Sequence, residues 1–270
     1  MYLGQAVAGL GTAWLSVGTM AIFPEDTPEA YQSAALMYFG IATFISIIII
    51  PIYYFLNKNE QIQEQEKYTN FSKKTKSLSD DLSKLWSDII FVGKTLKYQA
   101  LSLMMIFIIT LSVFPAVSQL VVSECGGAGT SNYCLNFGDT KFFVPVFVFC
   151  NPGDIIGRFL AGKFQIVKPT NGIGLLLLVL ARGIFAGGFF MTRRNNFDGV
   201  GFMGTDWAYE INTTLFGLTG GYLSSLCFMF APQLVAKEKQ ETAGSILPIF
   251  LCLGLLIGSC VSFGFVALVQ

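Results

Sequence analysis

The sequence predicts an all-α polytopic membrane protein of about seven transmembrane helices, and three observations carry that prediction. Of 270 residues, 53% are hydrophobic and only 13% charged, with a mean hydropathy of +0.59; soluble domains carry about 25% charged residues. The charges are clustered, leaving long stretches with none. The apolar runs are continuous over about 20 residues, the length of a helix crossing a ~30 Å hydrocarbon core. Lipid admits only helices and closed barrels, and a barrel would show short alternating segments instead.

The first apolar run, 2–23, opens directly in MYLGQAVAGLGTAWLSVGTMAIF. It has neither the basic leader nor the short core of a secretory signal, so it reads as a true span whose upstream chain is missing. Gly4, Ala8 and Gly11 are spaced to let a neighbouring helix approach closely. A second span covers 34–56. Residues 57–97 form the one long polar segment and hold eight of the 17 basic residues, which makes it a solvated loop. Its LSDDLSKLWSDIIFVGKTL portion reads as an amphipathic helix leading into a third span, 98–122, kinked at Phe114-Pro115. Further spans follow at 141–163, 171–191, 207–234 and 242–269, with small-residue pairs at Gly217 and Gly221 and at Gly254 and Gly258. This divides the chain into two helices (1–56), a charged loop (57–97) and a five-helix bundle (98–270).

Loop charge sets the orientation. With 57–97 in the cytosol, Lys163, Lys168, Lys237 and Lys239 fall on the same side, against Lys141, Arg193 and Arg194 opposite. Cys125 and Cys134 bracket a small non-cytosolic loop and are a candidate disulfide. Zero net charge gives no sign of nucleic-acid binding. The absence of histidine and of any CxxC spacing leaves no metal or cofactor site to propose.

NPGDIIGR, 151–158, interrupts this pattern. A charged side chain at mid-bilayer costs about 2.5–3.5 kcal/mol on insertion scales and marks a functional site by default. At 100° per residue, Phe147, Asn151, Asp154 and Arg158 fall within a wedge of about 60°. That face presents a ring, an amide, a carboxylate and a guanidinium, and must look into the protein or a wet cavity. One reading is a structural ion pair at i, i+4. The other is a binding stripe, matched to vicinal hydroxyls or an amide edge and stacking on phenylalanine. Pro152 and Gly153 weaken the helix there, as in the broken helices transporters place at substrate sites. Arg182 is the other buried cation, readable as a counter-charge for Asp154, a gate or a packing residue.

Several motifs in order resemble the equilibrative nucleoside transporter family. GGYLSSLCFMFAPQ followed by KQETAGSILPIFLCLGLLIGSCVSF resembles its C-terminal signature; VFPAV at 113–117, LVLAR at 178–182 and GQAVAG at 4–9 fit other helices. Asn151, Asp154, Gly157 and Arg158 fit the pattern N-x-x-D-x-x-G-R, with Ile155 where many members carry tryptophan. The resemblance implies a major-facilitator-like bundle in which this chain covers helices five to eleven of eleven, lacking the first four. It implies an integral protein of the plasma membrane or an organelle or vacuole membrane, carrying nucleosides or nucleobases by alternating access without a cofactor. Asp154 and Arg158 would contact the ribose, Asn151 would sit beside them, and Phe147 and Phe114 would line the pocket. Arg182 and Glu241, the latter in ETAG, would serve gating or packing.

Three other readings stay open at this stage. A sugar or other metabolite carrier would carry the charged stripe but not ETAG and FLCLGL in that position. A truncated chain would insert without transporting. An intramembrane aspartyl protease needs two embedded aspartates sharing a proton, and Asp154 has no second aspartate in any span.

Overall fold

A computed structural model describes residues 2–23, 27–57, 90–121, 143–192 and 197–269. Its long elements are helices α1 (Tyr2–Ile22), α2 (Pro28–Asn57), α3 (Lys97–Val113), α4 (Phe143–Lys163), α5 (Gly172–Ala181), α6 (Gly183–Phe190), α7 (Asp206–Phe230) and α8 (Gln240–Val269). Among the described residues, four stretches are long and apolar enough to cross a bilayer: Pro28–Phe55, Gly172–Phe190, Asp206–Leu234 and Thr242–Val269. The protein is a helical polytopic membrane protein. Residues 58–89 and 122–142 lie outside the described residues, and with them most of the expected amphipathic helix and both Cys125 and Cys134.

The chain divides into two compact units, Trp14–Ser87 and a larger one of Met1–Ala13 with Asp88–Gln270. In the smaller unit α2 exposes Ile45, Ile47, Ile48, Ile49, Ile50, Ile52 and Phe55 around its whole girth. A helix apolar on every side suits lipid rather than one wall of a core.

The larger unit is held by two helix pairs, α4 with α7 and α3 with α8. The first pair interlocks through glycines on both partners. A Cβ on Gly153 would lie 2.5 Å from the Thr214 carbonyl oxygen, and one on Gly157 would overlap that of Leu218. Reciprocally, side chains on Gly217 and Gly221 would overlap the carbonyls of Cys150 and Asp154. In α8, Gly254 and Gly258 seat against the backbone of Met104, Phe107 and Ile108 in α3. Without a hydrophobic drive between helices in lipid, close backbone packing of this kind holds a bundle together. Gly4 and Gly11 meet no such partner among the described residues, none of which lies within 4 Å of where their side chains would stand.

Two apolar clusters fill the interior. One joins Leu96, Leu103 and Ile106 to Leu175, Val179, Leu226, Phe230, Ile246 and Leu247. The other gathers Val113, Val117, Phe189, Tyr209 and Phe216, with the Phe189 ring edge-on to Tyr209 at 5.8 Å and to Phe216 at 5.3 Å.

The expected third span does not run to 122 as one helix. It stops at Val113, and Phe114 is extended (φ −117°, ψ 126°) before a cis bond to Pro115 and a short 3₁₀ turn, Ser118–Leu120. Proline lacks the N–H to continue the ladder, and its ring drives the preceding residue out of the helical region. Tyr209 fastens this broken end, its hydroxyl donating to the Ser118 carbonyl at 3.0 Å from a fully buried position. Tyr209→Phe keeps the ring and removes that bond. We expect a melting temperature lowered by the equivalent of about 1 kcal/mol, the usual net value of one buried hydrogen bond, read by thermal melting in detergent.

At the opposite end, Tyr222 staples the link from α4 to α5. Its hydroxyl donates to the Phe164 carbonyl at 2.9 Å and accepts from the Ile166 N–H at 3.1 Å. Gln99 reaches the same link, donating to Pro169 at 3.3 Å. Asn171 then caps α5, its side-chain oxygen accepting from the Gly174 N–H at 3.0 Å as good N-caps do. Lys163 and Lys168 thus share one end of the unit with the start of α3, as does Lys239, whose ammonium sits 4.3 Å over the Phe91 ring.

Candidate functional site

The polar stripe of α4 faces inward, onto a cavity of about 170 Å³. Asn151, Asp154 and Arg158 line it from α4, with Cys150. Ile106, Phe107, Thr110 and Phe114 close it from α3 and the residue after it, Arg182 from the α5–α6 junction, and Phe216, Gly217, Gly220 and Ser224 from α7. Gly153 and Gly157, on the flank of the stripe, bring α4 backbone to backbone against α7, which lines the cavity beside it.

Asp154 and Arg158 are joined. The Arg158 Nε donates to Asp154 Oδ2 at 2.7 Å and Nη2 to Oδ1 at 3.3 Å, a two-point contact of the geometrically specific kind. The pair is therefore closed, as the structural reading has it, and it fronts a cavity, as the binding reading has it. Its side chains are 25% and 14% exposed, so the site is partly desolvated without being sealed.

Arg182 is enclosed at 3% exposure. Its Nη1 donates to the Ile106 carbonyl at 3.2 Å and to the Thr110 hydroxyl at 3.0 Å, and Nη2 to the Phe216 carbonyl at 3.1 Å. The guanidinium carbon lies 3.9 Å from the centre of the Phe216 ring, within the range of a cation–π contact. Its Nε has no hydrogen-bond partner among the described residues.

The structure thus brings together Asn151, Asp154, Arg158, Phe114 and Arg182. Phe147 lies on α4 and Glu241 on α8, and the side chains of both fall outside the described residues. Sequence reasoning missed Thr110, Phe216 and Gly220. A threonine four residues before Phe-Pro and a Gly-Gly pair in a spanning helix were the available signals. Among the described residues no cluster of His, Cys, Asp or Glu could hold a metal ion.

Spanning helices around a charged, aromatic-lined cavity are the makeup of a solute carrier. Comparison with known proteins agrees: the family model described as nucleoside transporter matches residues 1–267. The chain belongs to the nucleoside transporter family, a family of transporters rather than enzymes. It is 34% identical over 180 residues to equilibrative nucleoside transporter 1 of Homo sapiens, covering 65% of this chain and 37% of that protein. Equilibrative nucleoside transporter 2 of Homo sapiens is 29% identical over 306 residues, covering 98% of this chain and 64% of its own length. Equilibrative nucleotide transporter 1 of Arabidopsis thaliana is 25% identical, covering 96% and 54%. The chain therefore spans from over a third to just under two-thirds of the length of these relatives.

Proposed function

We propose that this chain forms the binding wall of a facilitated nucleoside transporter, with Asp154 and Arg158 as the groups that take the ribose hydroxyls. The observation that carries the reading is the placement of the α4 stripe: carboxylate, guanidinium and amide turned onto an internal cavity rather than buried in helix packing. A carboxylate accepts from vicinal hydroxyls while a guanidinium donates to them, so a diol can take over the hydrogen bonds of each half of the ion pair, though as a neutral group it supplies no counter-charge. Facing a bound sugar, Phe114 and Phe107 supply apolar surface for the flat base. Enclosing sites for small ligands run to about 300–1,000 Å³, so a cavity of about 170 Å³ suits the sugar half of a nucleoside in this state. Transport follows as alternating access, driven by the substrate gradient. Asn151, on the same stripe, adds an amide; Phe147 and Glu241 belong to the proposal as pocket and gate residues. Nucleobases are a weaker fit, since they lack the diol.

Uptake of radiolabelled uridine by this chain in a host without nucleoside transporters tests the reading. Saturable uptake competed by unlabelled nucleosides, and not by free ribose or glucose at equal concentration, supports it. Competition by sugars alone would move the chain to the metabolite-carrier class, and a surface-expressed chain without uptake would make it a non-transporting product.

A further inference from the structure

Arg182 raises a question that packing does not answer. A cation buried at 3% exposure with its bonds going to two carbonyls and a hydroxyl is an expensive way to fill a helix junction, because desolvating a charge costs several kcal/mol. An apolar residue of similar volume is often as stable or more so at such sites. What the charge faces is informative. Gly220 and Gly221 are consecutive on α7. A Cβ on Gly220 would stand 2.9 Å from Arg182 Nη2, and one on Gly221 would stand 2.7 Å from Asp154 Oδ1. Two bare backbone positions in succession thus seat the guanidinium and the carboxylate at neighbouring positions of one helix. All three of Arg182's hydrogen-bond partners, Ile106, Thr110 and Phe216, also line the cavity. The cavity's charged groups among the described residues are one carboxylate and two guanidiniums: Asp154 and Arg158 from α4, and Arg182 from the α5–α6 junction. The lining residues of α3 and α7 are uncharged.

We infer that Arg182 is a positioning residue for substrate binding: held against Gly220, it supplies a fixed counter-charge for the Asp154 carboxylate seated at Gly221, and keeps it aimed while Arg158 lets go of it to meet the ligand. The inference rests on the proposed role of Asp154 and Arg158. In the closed state Asp154 has Arg158; when a diol displaces that contact, the carboxylate would otherwise stand alone in a low-dielectric site. Arg182 cannot follow Arg158 out, because α3 and α7 both grip it. It therefore stabilises the ligand-bound arrangement more than the empty one, and its loss should weaken binding rather than the folded state.

The experiment measures uridine KM and Vmax per surface copy in Arg182→Gln, Arg182→Lys and Gly220→Ala, with uridine Kd of the purified chain in nanodiscs. Removing one charge–charge interaction in a partly screened site should raise KM about tenfold in Arg182→Gln with Vmax within about twofold. Lysine should restore part of the loss, and Gly220→Ala, which displaces the guanidinium without deleting it, should raise KM severalfold. In an Asp154→Asn background, Arg182→Gln should change Kd no further, since the charge it serves is gone. Should Arg182→Gln fail to reach the surface, Gly220→Ala carries the decision alone. Unchanged KM in Gly220→Ala, or a fall in Vmax and surface copies with KM fixed across the series, overturns the inference while uptake sensitive to Asp154→Ala leaves the functional reading standing. A native chain that neither binds nor transports uridine overturns both.

Discussion

Asp154→Ala is expected to reach the membrane and yet to lose uridine uptake by about 10- to 100-fold, the cost of removing hydrogen bonds made to a charged group. Two effects add. The ribose loses its acceptor, and Arg158, 14% exposed, loses the carboxylate that satisfied two of its donors. A guanidinium that has lost its carboxylate in a partly enclosed site shifts its donors elsewhere, which spoils the wall even for a ligand that still fits. Asp154→Asn separates the two contributions, because it keeps size and one acceptor oxygen while deleting the charge and the second acceptor; it should fall between wild type and alanine. Arg158→Ala should lose as much as Asp154→Ala, and the double variant little more than either, since the two act as one unit. Uptake counted per surface copy decides. Full activity in both single variants would leave the pair as a packing clamp and remove the ribose assignment.

The second large effect belongs to the seam between α4 and α7. Gly157→Leu or Gly221→Leu forces a branched side chain into space already held by a facing carbonyl, of Leu218 or Asp154 respectively. Neither neighbour can yield, because each is the backbone of a helix. Overpacking usually costs ~1–3 kcal/mol, and against backbone the upper end or beyond is expected, enough to abolish a monodisperse peak in size-exclusion chromatography. Gly162 on the same helix is the control, with nothing within 4 Å of its would-be side chain. Gly162→Ala should leave folding intact or improve it slightly, since alanine is favoured over glycine in a helix by about 1 kcal/mol. Equal damage at 157 and 162 would refute the seam as the cause.

The sequence makes the helices and the α4 stripe visible, and the reason is that both are local. Continuous apolar runs report a membrane span within one segment, and Asn151, Asp154 and Arg158 share a face by helical period alone. What escapes it depends on distant partners. Arg182 meets groups 76, 72 and 34 residues away, which no spacing rule encodes, and Gly220 matters only because that guanidinium arrives beside it. The glycines at 217 and 221 were readable as a packing pair, but not that Gly153 and Gly157 answer them from across the seam. Phe114-Pro115 was readable as a bend; that the helix ends there required the φ and ψ of Phe114.

The mutual notching of α4 and α7 has a mechanical corollary. Helices meshed through each other's carbonyls cannot slide or roll without unmeshing, so these two must travel as a single rigid slab. Whatever widens the cavity therefore has to yield on its far side, where α3 gives out at Val113, Phe114 lines the wall, and the chain passes into a short 3₁₀ turn held by the Tyr209 hydroxyl.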